Sequence, residues 1–323
     1  MIRIEHITKV FGNIRAVDSV SFSIPRGEIV GFLGPNGAGK TTTLRMVTGL
    51  LQPTAGNIWI NEIPLNEAPL AASRIIGYLP EQNPLYTEML VYDYLKYIAS
   101  LRLVRKQDFF TRLDHVVQKC GLEDVLAQPI GTLSKGYRQR TGLAQAIIHD
   151  PEVLLLDEPT SGLDPNQILD IRQLIREMGR AKTVVLSSHI LQEVQALCDR
   201  IIIINRGRII ADAPKDELPA LLDLPLQVTI EIEGEEMDVD RFLDENQDTG
   251  LEEVLPTGQS TRYTFIIQDE AEFKRRFAQY AMQQQRLIIG MQTHTPSLED
   301  VFHRLTRRTT LAEDEVPETP KQP

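Results

Sequence analysis

The stretch Gly34-Pro-Asn-Gly-Ala-Gly-Lys-Thr-Thr42 constrains this chain more than any other. It fits G-x-x-x-x-G-K-[ST], with Gly34, Gly39, Lys40 and Thr41 at the fixed positions and Pro35, Asn36, Gly37, Ala38 and Thr42 completing the loop. Glycines at this spacing let successive N–H groups turn toward one anion. A helix beginning near Lys40 adds the positive end of its dipole. The apolar run Gly27–Leu33 reads as a buried strand, and Leu44, Val47 and Leu51 recur at helical spacing. Strand, glycine loop and helix start therefore stand in the order that a phosphate cradle needs, within an α/β domain. Lys40 can then reach the β- and γ-phosphates of a nucleotide, and the Thr41 hydroxyl suits Mg²⁺. The plain alternative is a glycine-rich turn that matches by chance.

The whole chain narrows the classes. Its 323 residues suggest about two domains. A net charge of −11 argues against a nucleic-acid partner, which calls for a basic face. Cys120 and Cys198 show neither metal spacing nor a disulfide framework, which fits a reducing cytosol. The start lacks a secretory apolar segment, and no apolar run approaches the ~18–20 residues that span a bilayer. A membrane role is expected to come through a partner.

Further along, Phe11 ends a first strand, Ile2–Phe11, paired across Gly12-Asn13 with Ala16–Ile24. An aromatic there suits a purine face, or equally a core. Ile75–Leu79 reads as a strand, and Gln82 follows in a loop as a contact for metal or water, or as a solvated amide. Helices are expected from Val91 to Leu101 and from Phe109 to Lys119. Ser134 is a good N-cap, and with Lys135 and Gly136 it forms a second helix start suited to an anion. Val153–Glu158 is a buried strand ending in two acids. Asp157 suits Mg²⁺ and Glu158 suits polarising a water. Ser161–Asp164 is a turn. His189 follows another buried strand, where strand ends of a parallel sheet form a ligand crevice; a structural histidine is the plain alternative. A hairpin about Arg206-Gly207 and a helix over Lys215–Leu222 close the domain.

After Pro219 and Pro225 the pattern changes. Leu226, Val228, Ile230 and Ile232 alternate, as do Leu287, Ile289 and Met291, with helices over Asp240–Glu245 and Asp269–Gln284 and strands over Leu251–Leu255 and Tyr263–Ile267. The order β-α-β-β-α-β is ferredoxin-like. Ser297–Asp300 reads as a capping box opening a helix to about Thr306, and the acidic 307–323 tail as disordered.

With these motifs in place, residues 1–222 resemble the ATP-binding subunit of an ABC transporter. The resemblance implies a P-loop cassette with a mixed sheet core, an antiparallel edge sheet and a helical subdomain at about 83–150, followed by a small α+β domain at 226–306. It implies that Phe11 stacks on adenine, that Gly34–Thr42 hold the phosphates, and that Thr41, Gln82 and Asp157 meet Mg²⁺. Glu158 becomes the catalytic base and His189 the γ-phosphate switch. Ser134, Lys135 and Gly136 touch ATP held by the opposite subunit, and Asp164 crosses the dimer interface. The signature departs from Leu-Ser-Gly-Gly-Gln: Lys135 replaces the first Gly and Tyr137 the Gln. Gly77–Gln82, Leu133–Arg140 and Ser297–Phe302 are similar to ABC-2 type exporters, most of all to the gliding-motility-associated ATP-binding subunit, with sodium, drug and copper-processing exporters close to it.

The expected function is ATP hydrolysis on the cytoplasmic face of the membrane, by a pair of copies docked on a permease, with ATP and Mg²⁺ as cofactors. The rivals are a soluble ABC-type ATPase and a nucleotide-gated binding module with little turnover. The chain has neither the coiled-coil insertion nor the second cassette of the soluble types, and Glu158 argues against the silent module.

Overall fold

The computed structural model describes residues 1–218, 226–294, 298, 299 and 302. The chain divides into two compact units, Met1–Lys215 and Asp216–Pro323.

In the first unit, β1 (Ile2–Phe11) and β2 (Ile14–Ile24) form a hairpin. Next come β3 (Ile29–Leu33), α1 (Lys40–Val47), β4 (Ala55–Ile60), β5 (Ile63–Pro64), α2 (Pro69–Arg74) and β6 (Ile76–Leu79). Helices α3 (Val91–Leu101), α4 (Phe109–Cys120) and α5 (Lys135–Ile147) make the helical subdomain. The chain then returns through β7 (Val153–Asp157), α6 (Pro165–Gly179), β8 (Thr183–Ser188), α7 (Leu191–Leu197), β9 (Arg200–Asn205) and β10 (Arg208–Pro214).

Two sheets result. The antiparallel one has the order β2-β1-β4-β5, and the larger one β10-β9-β3-β8-β7-β6, parallel throughout except at β10. Every residue of β3, β7 and β8 is buried, which is why these strands read as unbroken apolar runs and not as alternation. The core lies between the sheets and under α1: Ile2, Ile4 and Ile58 meet Phe32, Leu44, Leu155 and Ile202.

The second unit holds β11 (Leu226–Glu233), α8 (Asp240–Glu245), β12 (Gly250–Pro256), β13 (Ser260–Ile267), α9 (Glu270–Gln283) and β14 (Ile288–His294). Its antiparallel sheet has the order β12-β13-β11-β14, the ferredoxin-like arrangement. Phe242 packs edge-on against Phe265, Phe273 and Phe277 to fill its core.

Several expectations need correction. The α1 helix ends at Val47, so Leu51 falls in the following turn. Lys215–Glu217 is a turn, and the 3-10 residue Leu218 follows it; the rest of that expected helix, with Pro219 and Pro225, lies outside the described residues. So do Ser297, Asp300, most of the helix expected after them, and the 307–323 tail. Leu287 and Ile289 are exposed, while Ile288 and Met291 pack on the core. The cause is a bulge: Glu231 pairs with Gly290 and Ile232 with Ile288, which leaves Ile289 as the extra residue and turns the face over.

Candidate functional site

Parallel register brings the site together. Leu33 pairs with Ser188 and Asp157 with Ser187, so β3, β7 and β8 end level. The segments leaving those ends carry the glycine loop, Glu158 and His189. The crevice at the carboxyl ends of the strands is where such sheets bind ligands.

The loop needs its glycines by contact. A Cβ on Gly34 would stand 2.3 Å from the Ile204 carbonyl oxygen, and one on Gly39, at φ +107°, 2.6 Å from that of Ala16. Lys40 folds back, its Nζ donating to the carbonyls of Gly34 at 2.8 Å and Pro35 at 3.2 Å. The same ammonium stands 3.7 Å from Glu158 Oε1. Burial pushes the Lys40 pKa below its usual range, against the pull of Glu158 and Asp157 toward the charged form. A buried ammonium gains the most from a polyanion.

Asp157 is fully buried. Its Oδ1 accepts from the Thr41 hydroxyl at 3.1 Å and from the Ser187 hydroxyl at 2.6 Å, while its Oδ2 is buried without a hydrogen-bond partner. An orphaned carboxylate oxygen in a dry site calls for a cation. An all-oxygen set of hydroxyl and carboxylate fits Mg²⁺. Glu158 holds φ +50°, unusual for a side chain with a Cβ. Its backbone N–H donates to the Ser187 carbonyl and hydroxyl, at 3.2 and 3.1 Å. Its carboxylate reaches His189 Nδ1 at 2.9 and 3.0 Å.

Lys40, Glu158 and His189 line a cleft of about 490 Å³ with Asn36, Gly37, Gly39, Thr41 and Thr42, joined by Ala16, Glu81 and Ser161. Gln82 is exposed and does not line it. Phe11, 47 % exposed, is not a core residue; Lys9 Nζ lies 5.3 Å from its ring centre. Ser134, Lys135, Gly136 and Asp164 stand apart from the cleft. Ser134 caps α5 by accepting from the Tyr137 N–H at 3.3 Å, and Asp164 caps α6 by accepting from the Gln167 N–H at 3.0 Å. The two helix starts touch through Gln167, whose side chain sits where a Cβ on Gly136 would be 2.7 Å away.

Four contributors escape sequence reading. Ser187 braces both acids. Glu81 takes a place in the cleft wall. Asn83 Nδ2 donates to the Arg138 carbonyl at 2.9 Å, and Gln139 Nε2 to the Pro159 carbonyl at 2.8 Å, so both sides of the cleft are tied to α5. Ser187 looks like any residue of a buried strand, and the other three bond partners more than fifteen residues away or lie in a loop, so periodicity carries no trace of them.

A parallel sheet with a glycine loop at one strand end, paired acids at the next and a histidine at a third defines a P-loop nucleotide hydrolase of the cassette type. The model of the family described as ABC transporter matches residues 17–161. The ABC transporter ATP-binding protein YdbJ of Bacillus subtilis is 32% identical over 308 residues, 95% of both chains. The bacitracin transport ATP-binding protein BcrA of Bacillus licheniformis is 37% identical over 220 residues, 68% of this chain and 71% of its own. A dimeric ATP-binding cassette, MJ0796, solved in a post-hydrolysis state with ADP and Pi, overlays 66% of this chain and 98% of its own at TM-score 0.61 and 26% identity. The chain belongs to the ATP-binding subunits of ABC transporters, and it is an ATPase that energises transport.

Proposed function

We propose that this ATPase drives an exporter of the ABC-2 type, nearest to the gliding-motility-associated subunit, as a pair of copies held by a permease at the cytoplasmic membrane face. Among the described residues no helix is long and apolar enough to cross a membrane, and BcrA supports the transport reading by its name. We further propose a cassette domain over 1–222 and an accessory domain over 226–306.

The observation that carries the chemistry is Glu158, fixed between Lys40 and His189 above Thr41 and Asp157. Gly34–Thr42 wrap the triphosphate with backbone N–H groups, and Lys40 leaves its loop carbonyls for the β- and γ-oxygens. Phe11, exposed at the end of β1, offers its ring to the adenine. Thr41 and Asp157 would hold Mg²⁺, and the ion would neutralise charge on the phosphate oxygens. Glu158 orients a water and takes its proton as the water attacks the γ-phosphorus in line. His189 holds the Glu158 carboxylate in place and meets the γ-phosphate. Ser134, Lys135 and Gly136 present their helix start to the nucleotide of the second copy, and Asp164 lies at that interface. Closure of the pair completes each site, so closed and open pairs hold the permease differently.

Glu158→Gln keeps the shape and removes the base. The full chain should still bind Mg-ATP, lose phosphate release by about a hundredfold or more, and accumulate as a nucleotide-bound dimer on sizing columns. Undiminished turnover would reject the assignment.

A further inference from the structure

The α4 helix carries Thr111, Arg112, His115 and Lys119 along one face. That face borders a hollow of about 460 Å³, backed by Ile147 and Ile148 at the end of α5 and Met178 near the end of α6. Asp150 and Lys182, from the turns that lead into β7 and β8, complete its wall.

Positive charge gathers here against the trend of a chain whose net charge is −11. Arg105, Arg112, Lys119 and Lys182 line the hollow with two carboxylates, Asp108 and Asp150. Both acids are already engaged. Asp108 accepts from Arg105 at 2.7 Å, and Asp150 accepts from Lys182 at 2.6 Å and stands 3.8 Å from Arg112. Among the described residues no acid pairs with Lys119 or His115. Like charges that converge from several elements repel one another until an anion joins them. A hollow of this size admits a small molecule. Guanidinium and ammonium donors suit phosphate oxygens. A phosphate monoester carries about two negative charges at neutral pH, which matches the excess of cations over carboxylates.

The hollow is remote from the nucleotide cleft. Asp150 and Lys182 precede the amino ends of β7 and β8, whereas Asp157 and Ser187 pair near the carboxyl ends. A five-residue strand such as β7 spans about 13–16 Å, so an occupant of the hollow leaves the cleft free.

We propose that this hollow is a second anion site, which binds a small phosphate dianion, free or as the phosphate ester of a small organic molecule. The inference stands apart from the reading of the nucleotide cleft.

Calorimetric titration of the full chain with inorganic phosphate and with glucose 6-phosphate tests it, with saturating MgADP present and glucose as the uncharged control. One equivalent of a phosphate compound should bind, and glucose should not. Equal affinities assign the site to free phosphate; tighter binding of glucose 6-phosphate assigns it to an ester. Lys119→Gln should weaken binding by about three- to tenfold and Lys119→Glu by about tenfold or more. Lys106→Glu makes the same change of charge on an exposed side chain outside the hollow, and it should keep the wild-type affinity. MgADP binding by each variant reports that it is folded. The proposal is overturned if neither phosphate compound binds, if the Lys119 variants bind as the wild type does, or if Lys106→Glu weakens binding as much as Lys119→Glu. Binding seen only when MgADP is left out places the probe in the nucleotide cleft and overturns it too.

Discussion

Glu158 holds a left-handed backbone with its carboxylate between a buried ammonium and an imidazole. Such a conformation costs about 1–3 kcal/mol and persists only where its surroundings over-determine it. Ser187 supplies that restraint, with its hydroxyl donating to Asp157 and accepting from the Glu158 N–H while its carbonyl holds the same N–H. Ser187→Ala should therefore lower unfolding stability by about 1–3 kcal/mol, since it leaves buried polar groups short of a partner. It should reduce the maximal hydrolysis rate more than nucleotide affinity, because Lys40 and the loop are untouched. Denaturant titration and steady-state kinetics on one preparation check both parts; an unchanged rate with lost affinity would mean that Ser187 shapes the loop instead. Nothing in the local pattern around Ser187 distinguishes it, whereas Lys40 and Asp157 announce themselves by spacing and by acids ending an apolar run.

At the scale of elements, the turn from α5 into β7 carries an acid-sensitive joint. His149 Nε2 lies 3.0 Å from the Ile76 carbonyl, and its Nδ1 is buried without a partner. Burial, reinforced by the charges of Arg102, Lys182 and Arg112, pushes its pKa from 6.5 down to about 4. The unfolded chain thus takes up this proton first. The stability it contributes is complete above pH 6.5 and drains away as the pH falls toward 4. Between pH 7 and pH 5 the loss from this one group should be about 2 kcal/mol. Unfolding free energies from urea titration at the two pH values should differ less in His149→Gln than in the wild type, by about that amount.

The loop between β6 and α3 makes a different kind of element. Tyr86 is 55 % exposed yet stacks edge-on with Tyr94 and Tyr97. An exposed aromatic on an ordered loop fits a partner's side chains. Replacing Tyr86 and Met89 by Ser should leave ATP hydrolysis by the isolated chain nearly unchanged and abolish co-purification with the permease. Equal loss of hydrolysis in isolation would make the two residues packing alone.

For the whole molecule, the two units fill separate cores. One cluster draws on residues up to Ile209, the other on residues from Leu226 onward. A chain ending at Lys215 should accordingly fold and bind nucleotide, while pairing between copies weakens. An insoluble product, or one that binds no nucleotide, would show that the first core depends on the second unit. The phosphate loop, the acids at the end of β7, the Ser134 cap and the strand–helix order of the second unit were all determined by residue type and spacing. Those features rest on local rules: glycine where the backbone must curl, hydroxyls and acids at helix starts, apolar runs where both faces are buried. Tertiary structure alone decided that Ser187 braces Asp157, that Glu81 and not Gln82 faces the cleft, and that Ile289 turns outward at a bulge. Each of these depends on which strands become neighbours and in what register. Register is set by how two sheets and α1 bury their apolar faces together, and no window along the chain contains that information.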